Sequence, residues 1–98
     1  AFSPTDLVAT ALGSCMVTIM GIRSAKMGFD LPEVKINIAK IMANNPRRIG
    51  EVQVELHIPM KLDVKEKTIL EKAGLNCPVA LSLHPNLAQS VKFIWLEN

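Results

Sequence analysis

The sequence contains one long segment that is almost free of charge, SPTDLVATALGSCMVTIMGIRSAKM (residues 3–27). Ser3 with Asp6 three positions later is typical of a helix start, because each side chain can accept a backbone N–H of the other residue. Gly28 follows the last turn and predicts the helix end. No charged residue occurs within 7–22. A helix that is apolar on all sides is expected to be buried, so the rest of the chain should pack around it.

A membrane-spanning helix is the alternative interpretation of this segment. A bilayer span needs roughly 20 apolar residues, and the uncharged run is shorter than that. Small and hydroxyl-bearing residues interrupt it, and Asp6 and Arg23 flank it. We therefore predict the core helix of a soluble protein, with no membrane as partner.

The composition predicts one small domain with an aliphatic core. The chain has 98 residues, of which 49% are hydrophobic and only 4% are aromatic. A net charge of +2 without a stripe of Lys and Arg gives no support for nucleic-acid binding. Two cysteines without a recognisable secretion signal are typical of a cytoplasmic protein, where such a pair is more often reactive than structural.

The chain begins at Ala1, two residues before the helix cap. Because domains seldom start by exposing a buried helix, we expect residues 1–98 to form a single domain that lacks an N-terminal portion. The high apolar content agrees with a surface that the missing portion or a second subunit covers. We therefore expect a homodimer.

Two alternating segments predict a β-hairpin after the helix. Residues 34–38 alternate between apolar and polar side chains, with a bulge or strand end expected near Ala39. Residues 44–46, Asn-Asn-Pro, are typical of a turn. Residues 52–58 form the clearest strand pattern in the chain.

Two helices and a last strand are predicted in the remaining chain. The pattern DVKE at 63–66 indicates a capping box for an amphipathic helix over 64–73, closed by Gly74. A short helix is expected over 78–83, and a final strand over 91–96. This order predicts an α+β fold in which a long buried central helix packs against an antiparallel sheet.

Cys15 and Cys77 are the residues for which redox chemistry is the hypothesis. In a dithiol cycle one thiolate attacks the oxidant and the second thiol resolves the product as a disulfide. The alternative is that Cys15 is a small core residue, since unpaired Cys is among the most buried types. Cys15 lies about three turns into its helix, too far from the helix start for the terminal N–H groups to stabilise a thiolate, and no Lys or Arg is on its face. Cys77 precedes Pro78 at a helix start, where free N–H groups stabilise a thiolate. A reactive Cys15 would need a cation from elsewhere in the fold.

Other polar residues are weaker candidates. A zinc set of Cys15, His57, Cys77 and His84 is conceivable, but no pair among them has the spacing of metal ligands, so we predict no metal site. His57 on the polar face of a strand and the pair Arg47–Arg48 at the hairpin tip are more often solvated than functional.

Three segments together resemble the OsmC/Ohr family of thiol peroxidases: SPTDLVATALGSC (3–15), PRRIGEVQVELHIP (46–59) and NCPVALSLHP (76–85). The likeness covers nearly all of the chain, with the elements in the expected order. Members of the family have an N-terminal β portion before the long helix and form intertwined homodimers. The resemblance therefore implies an OsmC-like fold and an intertwined homodimer, and it agrees with an absent N-terminal portion.

The resemblance also implies an activity, the reduction of organic hydroperoxides in the cytoplasm as part of a stress response. It makes Cys15 the peroxidatic cysteine, which becomes a sulfenic acid, and Cys77 the resolving cysteine, which forms the Cys15–Cys77 disulfide. A dithiol reductant then resets the pair. No metal and no organic cofactor are implied.

This sequence departs from the family pattern at two points. The family's Arg that stabilises the peroxidatic thiolate belongs to the N-terminal portion and has no counterpart here. Its acidic partner follows the Pro at the helix start, where this chain has Thr5, with Asp6 one residue later and about 100° further around the helix. Thr5 and Asp6 are thus the predicted supporting residues. The alternative function is a non-catalytic module of the same fold that binds a small molecule or senses redox state.

Overall fold

The helices and strands follow one another in the order predicted from the sequence. The computed structural model describes residues 3–96 of the chain. In chain order, its elements are α1 (Pro4–Lys26), β1 (Lys35–Ala43), β2 (Arg48–Ile58), α2 (Val64–Leu75), α3 (Pro78–Ser82) and β3 (Ala88–Trp95).

The start and end of α1 are those predicted. The Ser3 hydroxyl accepts the Asp6 backbone N–H at 3.2 Å, and the Asp6 carboxylate accepts the Ser3 N–H at 3.3 Å, which completes the capping box. Met27 caps the C-terminal end, and Gly28 follows with a φ of 98°, in the left-handed region that favours glycine.

The core lies between α1, α2 and one face of the sheet. The inward residues of β2 alternate with its outward ones, as the sequence predicted. The fully buried hydrophobic side chains are Leu12, Met16, Met20, Val52, Val54, Leu56, Ile58, Leu70 and Cys77.

One face of α1 is buried, and this corrects the expectation of a helix buried on all sides. The sheet and α2 pack against the side that carries Leu12 and Met16. The opposite side is exposed and lacks charge from Leu7 to Ile22, with Leu7 56% and Ile22 51% accessible. By length and composition α1 could also cross a membrane. One such helix is weak evidence of a membrane span, and in this structure one of its faces packs against the sheet and α2.

The sheet is mixed, whereas the sequence predicted an antiparallel one. β1 and β2 form the predicted antiparallel hairpin, in which Ile36 lies opposite Leu56. β3 runs parallel to β2 on its other side, with Phe93 beside Leu56. The reason is the connection over residues 59–87: α2 and α3 carry the chain back to the starting end of β2, so β3 runs in the same direction as β2.

One predicted boundary was wrong, and the irregularity expected in β1 lies slightly later than predicted. Of the two alternatives near Ala39, the bulge is present as a register shift between Ile41 and Met42, and β1 continues to Ala43. Gly74 does not close α2, which continues to Leu75. Gly74 is buried against α1, where an added Cβ would lie only 3.1 Å from the Met20 sulfur, so close helix packing accounts for the glycine.

Candidate functional site

The structure places the two predicted redox residues, Cys15 and Cys77, next to each other. Cys15 lies in the middle of α1 and is half-buried. Cys77 is the N-cap of α3 and is fully buried, and its side chain interacts with that of Cys15. Both cysteines are free thiols. Packing of α3 against α1 thus joins two residues that are far apart in the sequence.

The conformation of Cys77 follows from its position before Pro78. Its backbone is extended, with φ −69° and ψ 152°, as is usual for a residue that precedes proline. The Cys77 sulfur accepts the Ala80 N–H at 3.4 Å, and the Cys77 backbone carbonyl accepts the Leu81 N–H at 3.1 Å. The short helix therefore holds the thiol in a fixed place beside α1.

The Cys77 thiol is disfavoured as a thiolate. Burial raises the pKa of Cys77, and the neighbouring Cys15 side chain raises it further. The backbone N–H groups of Ala80 and Val79 lower the pKa of Cys77, as expected for a helix start, but each has a smaller effect than burial. Burial and the neighbouring Cys15 together outweigh these N–H groups, so the pKa of Cys77 is raised overall.

The start of α1 carries a second polar cluster, centred on Lys40 of β1. The Lys40 ammonium lies 2.8 Å from the Asp6 carboxylate and donates hydrogen bonds to the hydroxyls of Ser3 at 3.2 Å and Thr5 at 2.5 Å. The hydrogen bond from Lys40, followed by those from Ser3, lowers the pKa of Asp6. The structure thus brings the predicted supporting residues Thr5 and Asp6 together around a cation.

Sequence reasoning did not identify Lys40 as a functional residue. It has the same parity along β1 as the inward-facing Ile36 and Ile38. A lysine at an inward position of a half-buried strand is costly unless it meets a carboxylate or hydroxyl groups. The inward position of Lys40 in the alternating pattern could therefore have indicated that its ammonium pairs with a carboxylate or hydroxyl group.

The Lys40 cluster does not reach the thiols. Thr5 precedes Cys15 by ten residues, which places it roughly 15 Å away along the helix axis. Within residues 3–96, none of the hydrogen bonds and ion pairs brings a Lys or an Arg to Cys15. The described part of the chain therefore supplies the dithiol without a cation beside it.

The histidines lie in other surroundings. The Nε2 atom of His57 is 2.6 Å from the Glu55 carboxylate on the outer face of the sheet, and this contact lowers the pKa of Glu55. The Nδ1 atom of His84 accepts the Asn86 N–H at 3.0 Å. The zinc set considered above is not assembled: among the residues described, no three His, Cys, Asp or Glu side chains are grouped in a way that could hold a metal ion.

The model of the family described as OsmC-like protein matches residues 1–92. No curated protein matches this chain. A similar solved structure is that of a Psychrobacter arcticus 273-4 protein, provisionally named an osmotic stress induced and detoxification response protein. It is 44% identical, with a TM-score of 0.90, and the match covers 95% of this chain and 68% of that one.

Two more distant solved structures share the fold. The organic hydroperoxide resistance protein OsmC from Legionella pneumophila is 17% identical, with a TM-score of 0.79 over 96% of this chain and 70% of its own. The organic hydroperoxide resistance protein OhrB of Bacillus subtilis is 15% identical, with a TM-score of 0.73, and the match covers 95% of this chain and 70% of that one. At such identities the likeness shows the fold alone.

Proposed function

This chain belongs to the OsmC-like protein family, and from that premise we propose that it is a cysteine-dependent peroxidase that reduces organic hydroperoxides. The observation that carries the proposal is the contact between the side chains of Cys15 and Cys77. The names of the Legionella and Bacillus proteins, which refer to organic hydroperoxide resistance, support a peroxidase-like or stress-related role.

The first step of the proposed reaction is attack by the Cys15 thiolate on the outer oxygen of the hydroperoxide. The O–O bond breaks, the oxygen that is attacked becomes the sulfenic acid of Cys15, and the other oxygen leaves with the organic group as an alcohol after taking up a proton. The sulfur is oxidised by two electrons and the peroxide is reduced by two. Cys15 suits this role because it is the half-buried thiol of the pair, whereas Cys77 is fully buried.

The second step forms the disulfide. The Cys77 sulfur attacks the sulfenic sulfur of Cys15, the S–S bond forms, and the sulfenic oxygen leaves as water with the proton that Cys77 releases. The raised pKa of Cys77 keeps it a thiol until that moment, so that Cys15 rather than Cys77 meets the peroxide. A dithiol reductant then supplies two electrons and two protons and restores both thiols.

The cluster around Lys40 supports the site by fixing the helix that carries Cys15. The ion pair of Lys40 with Asp6 and the hydrogen bond to Thr5 tie the first turn of α1 to β1. We assign Thr5 and Asp6 a positioning role, because they lie at the helix start, away from the thiols.

We further propose that the protein is a cytoplasmic, intertwined homodimer. The exposed face of α1 is uncharged from Leu7 to Ile22 and also includes Val8. A second copy that packs against this face would remove these apolar side chains from water. A cysteine pair that cycles between dithiol and disulfide fits the cytoplasm, where disulfides are usually transient.

The test is the intact mass of the reduced protein before and after one equivalent of cumene hydroperoxide. The expected result is a loss of two hydrogens, mapped by digestion to a Cys15–Cys77 link, and repeated turnover when dithiothreitol is present. Cys15→Ser should abolish peroxide consumption. Cys77→Ser should permit one oxidation of Cys15 and then yield over-oxidised or intermolecular products. Unchanged turnover in Cys15→Ser, or an unchanged mass with both thiols free, would refute the peroxidase proposal.

A second candidate function, a redox sensor or binding module, has one observation in its favour. Within residues 3–96 no Lys or Arg is bonded to Cys15, although a cation beside a thiol is what usually makes it reactive. A sensor whose Cys15–Cys77 disulfide dithiothreitol does not reduce would consume one equivalent of peroxide per dithiol and then stop, and a binding module would consume none. Sustained consumption distinguishes the enzyme from the sensor.

A further inference from the structure

A groove of about 690 Å³ lies between the tip of the β1–β2 hairpin and the connection from α3 to β3. Arg48 lines it from the hairpin side, and His84 from the opposite side. Neither Cys15 nor Cys77 lines it, so it is separate from the dithiol. No Asp or Glu is among the residues that line it, and both of its titratable side chains are bases.

The two basic side chains are held in place by the backbone around them. One terminal nitrogen of the Arg48 guanidinium donates to the carbonyls of Asn44 at 3.5 Å and Pro46 at 3.3 Å. Within residues 3–96 no other side-chain hydrogen bond or ion pair uses the guanidinium, so its remaining N–H groups can bind an anion. Because the His84 Nδ1 atom accepts the Asn86 N–H, the proton of the neutral ring is on Nε2. His84 is thus a hydrogen-bond donor towards a ligand in either protonation state.

The rest of the groove wall is largely aliphatic. Ile49, Leu83 and Leu87 line it, and each is partly buried and packs against the main core. Their positions are therefore set by the fold, at the start of β2 and on either side of the α3–β3 connection. A preformed groove with apolar walls and a few donors is the usual form of a small-molecule site.

We propose that this groove binds an amphipathic carboxylic acid, with the carboxylate between Arg48 and His84 and the alkyl chain against Ile49, Leu83 and Leu87. The charge decides between this ligand and a neutral apolar one: two basic groups without an acidic residue among the lining side chains favour an anion. The planar fork of a guanidinium matches a carboxylate. The proposal does not depend on the peroxidase activity, since it concerns binding at residues outside the dithiol.

The test is a titration of the reduced, isotope-labelled protein with decanoate and, separately, with decanol, followed by amide chemical shifts. Decanoate should shift the amide resonances of residues 48–49 and 83–87. It should bind at least about tenfold more tightly than decanol, because only the carboxylate can form a charge-assisted hydrogen bond. Equal affinity for the two ligands, or shifts confined to other regions, would overturn the proposal. This comparison uses the wild-type protein and needs no variant to fold.

Variants add a matched comparison. Arg48→Gln should weaken decanoate binding about tenfold and leave decanol binding within about twofold of wild type. Arg47→Gln removes the same charge from the neighbouring residue, which does not line the groove, and should leave decanoate binding within about twofold. If Arg47→Gln and Arg48→Gln weaken decanoate binding equally, net charge and not the groove is responsible, and the proposal fails.

Discussion

The side chain of Cys77, buried at the N-cap of α3, lies beside that of Cys15 in the middle of α1. One of the two thiols is half-exposed and the other has no contact with solvent. This asymmetry gives the cysteines different chemistry, because burial disfavours the thiolate of Cys77.

The alkylation of Cys77 should therefore depend strongly on folding. In the Cys15→Ser variant, where Cys77 is the remaining thiol, iodoacetamide at pH 8 should react at least about tenfold faster in guanidinium-unfolded protein than in folded protein. The pKa of Cys77 is raised above its ordinary value of 9.0, so the rate in folded protein should still be rising above pH 9. Similar rates and pH profiles in both states would show that Cys77 is neither buried nor perturbed.

The ion pair between Lys40 and Asp6 at the start of α1 should make the free energy of unfolding depend on pH in the acidic range. The pKa of Asp6 is lowered in the folded protein from its ordinary value of 3.8, chiefly by the hydrogen bond from Lys40. A lowered pKa means that the stabilisation is complete above 3.8 and is lost as the pH falls through the folded-state value. Urea unfolding from pH 7 to pH 2 should show wild type more stable than Asp6→Asn at neutral pH, with the two curves converging below pH 3.8.

Lys40→Met is the matched variant for the other partner of the pair. It keeps an unbranched side chain of nearly the same length and removes the charge, so the drop in stability between pH 5 and pH 2 should be smaller than in wild type. A drop as steep as that of wild type would mean that Lys40 is not the group that holds the pKa of Asp6 down.

Much of the fold could be predicted from local patterns, because capping residues and alternation act over a few residues. The capping boxes of α1 and α2 and the β1–β2 hairpin are of this kind. The direction of β3 was predicted wrongly. Whether β3 pairs parallel or antiparallel with β2 depends on the end of the sheet to which residues 59–87 return the chain, and the residues of β3 itself do not indicate this.

The candidate site, like the fold, could be predicted only in part from the sequence. Cys15 and Cys77 were identified from their residue type and from the family resemblance, but the balance that leaves Cys77 a thiol depends on how deeply α3 is buried against α1. The contact of Lys40 with Thr5 and Asp6 joins two elements that only the tertiary fold brings together. Long-range packing therefore supplied what the sequence alone could not.

Two glycines of α1 should respond oppositely to the same substitution. A Cβ at Gly13 would lie 2.7 Å from the Cδ1 atom of Ile38 and 3.1 Å from the Cγ2 atom of Ile36, whereas a Cβ at Gly21 meets no atom within 4 Å. Gly21→Ala should raise the free energy of unfolding by about 1 kcal/mol through helix propensity. Gly13→Ala gains the same propensity but overpacks the contact with β1, for a net loss of about 1 kcal/mol.

Urea unfolding of the two variants measures the difference, which should be about 2 kcal/mol in favour of Gly21→Ala. Both variants add one methyl group to the same helix, so each serves as the control for the other. Equal stability of the two would mean that α1 does not pack as closely on β1 as the structure shows.

The exposed face of α1 should determine the oligomeric state. Leu7, Ala11, Cys15 and Ile22 recur at helical spacing on this side, and Ile22 is 51% exposed. If a second copy covers the face, Ile22→Lys places a charge in the interface and should weaken dimerisation at least about tenfold. Analytical ultracentrifugation at micromolar concentration would show the shift from dimer to monomer.

Val64→Lys is the control for this experiment. Val64 is 80% exposed on α2, away from that face, so the variant adds the same charge and should remain as dimeric as wild type. A monomeric wild type would contradict the homodimer proposal outright. A dimer that tolerates Ile22→Lys but dissociates with Val64→Lys would place the interface on α2 and not on the apolar face of α1.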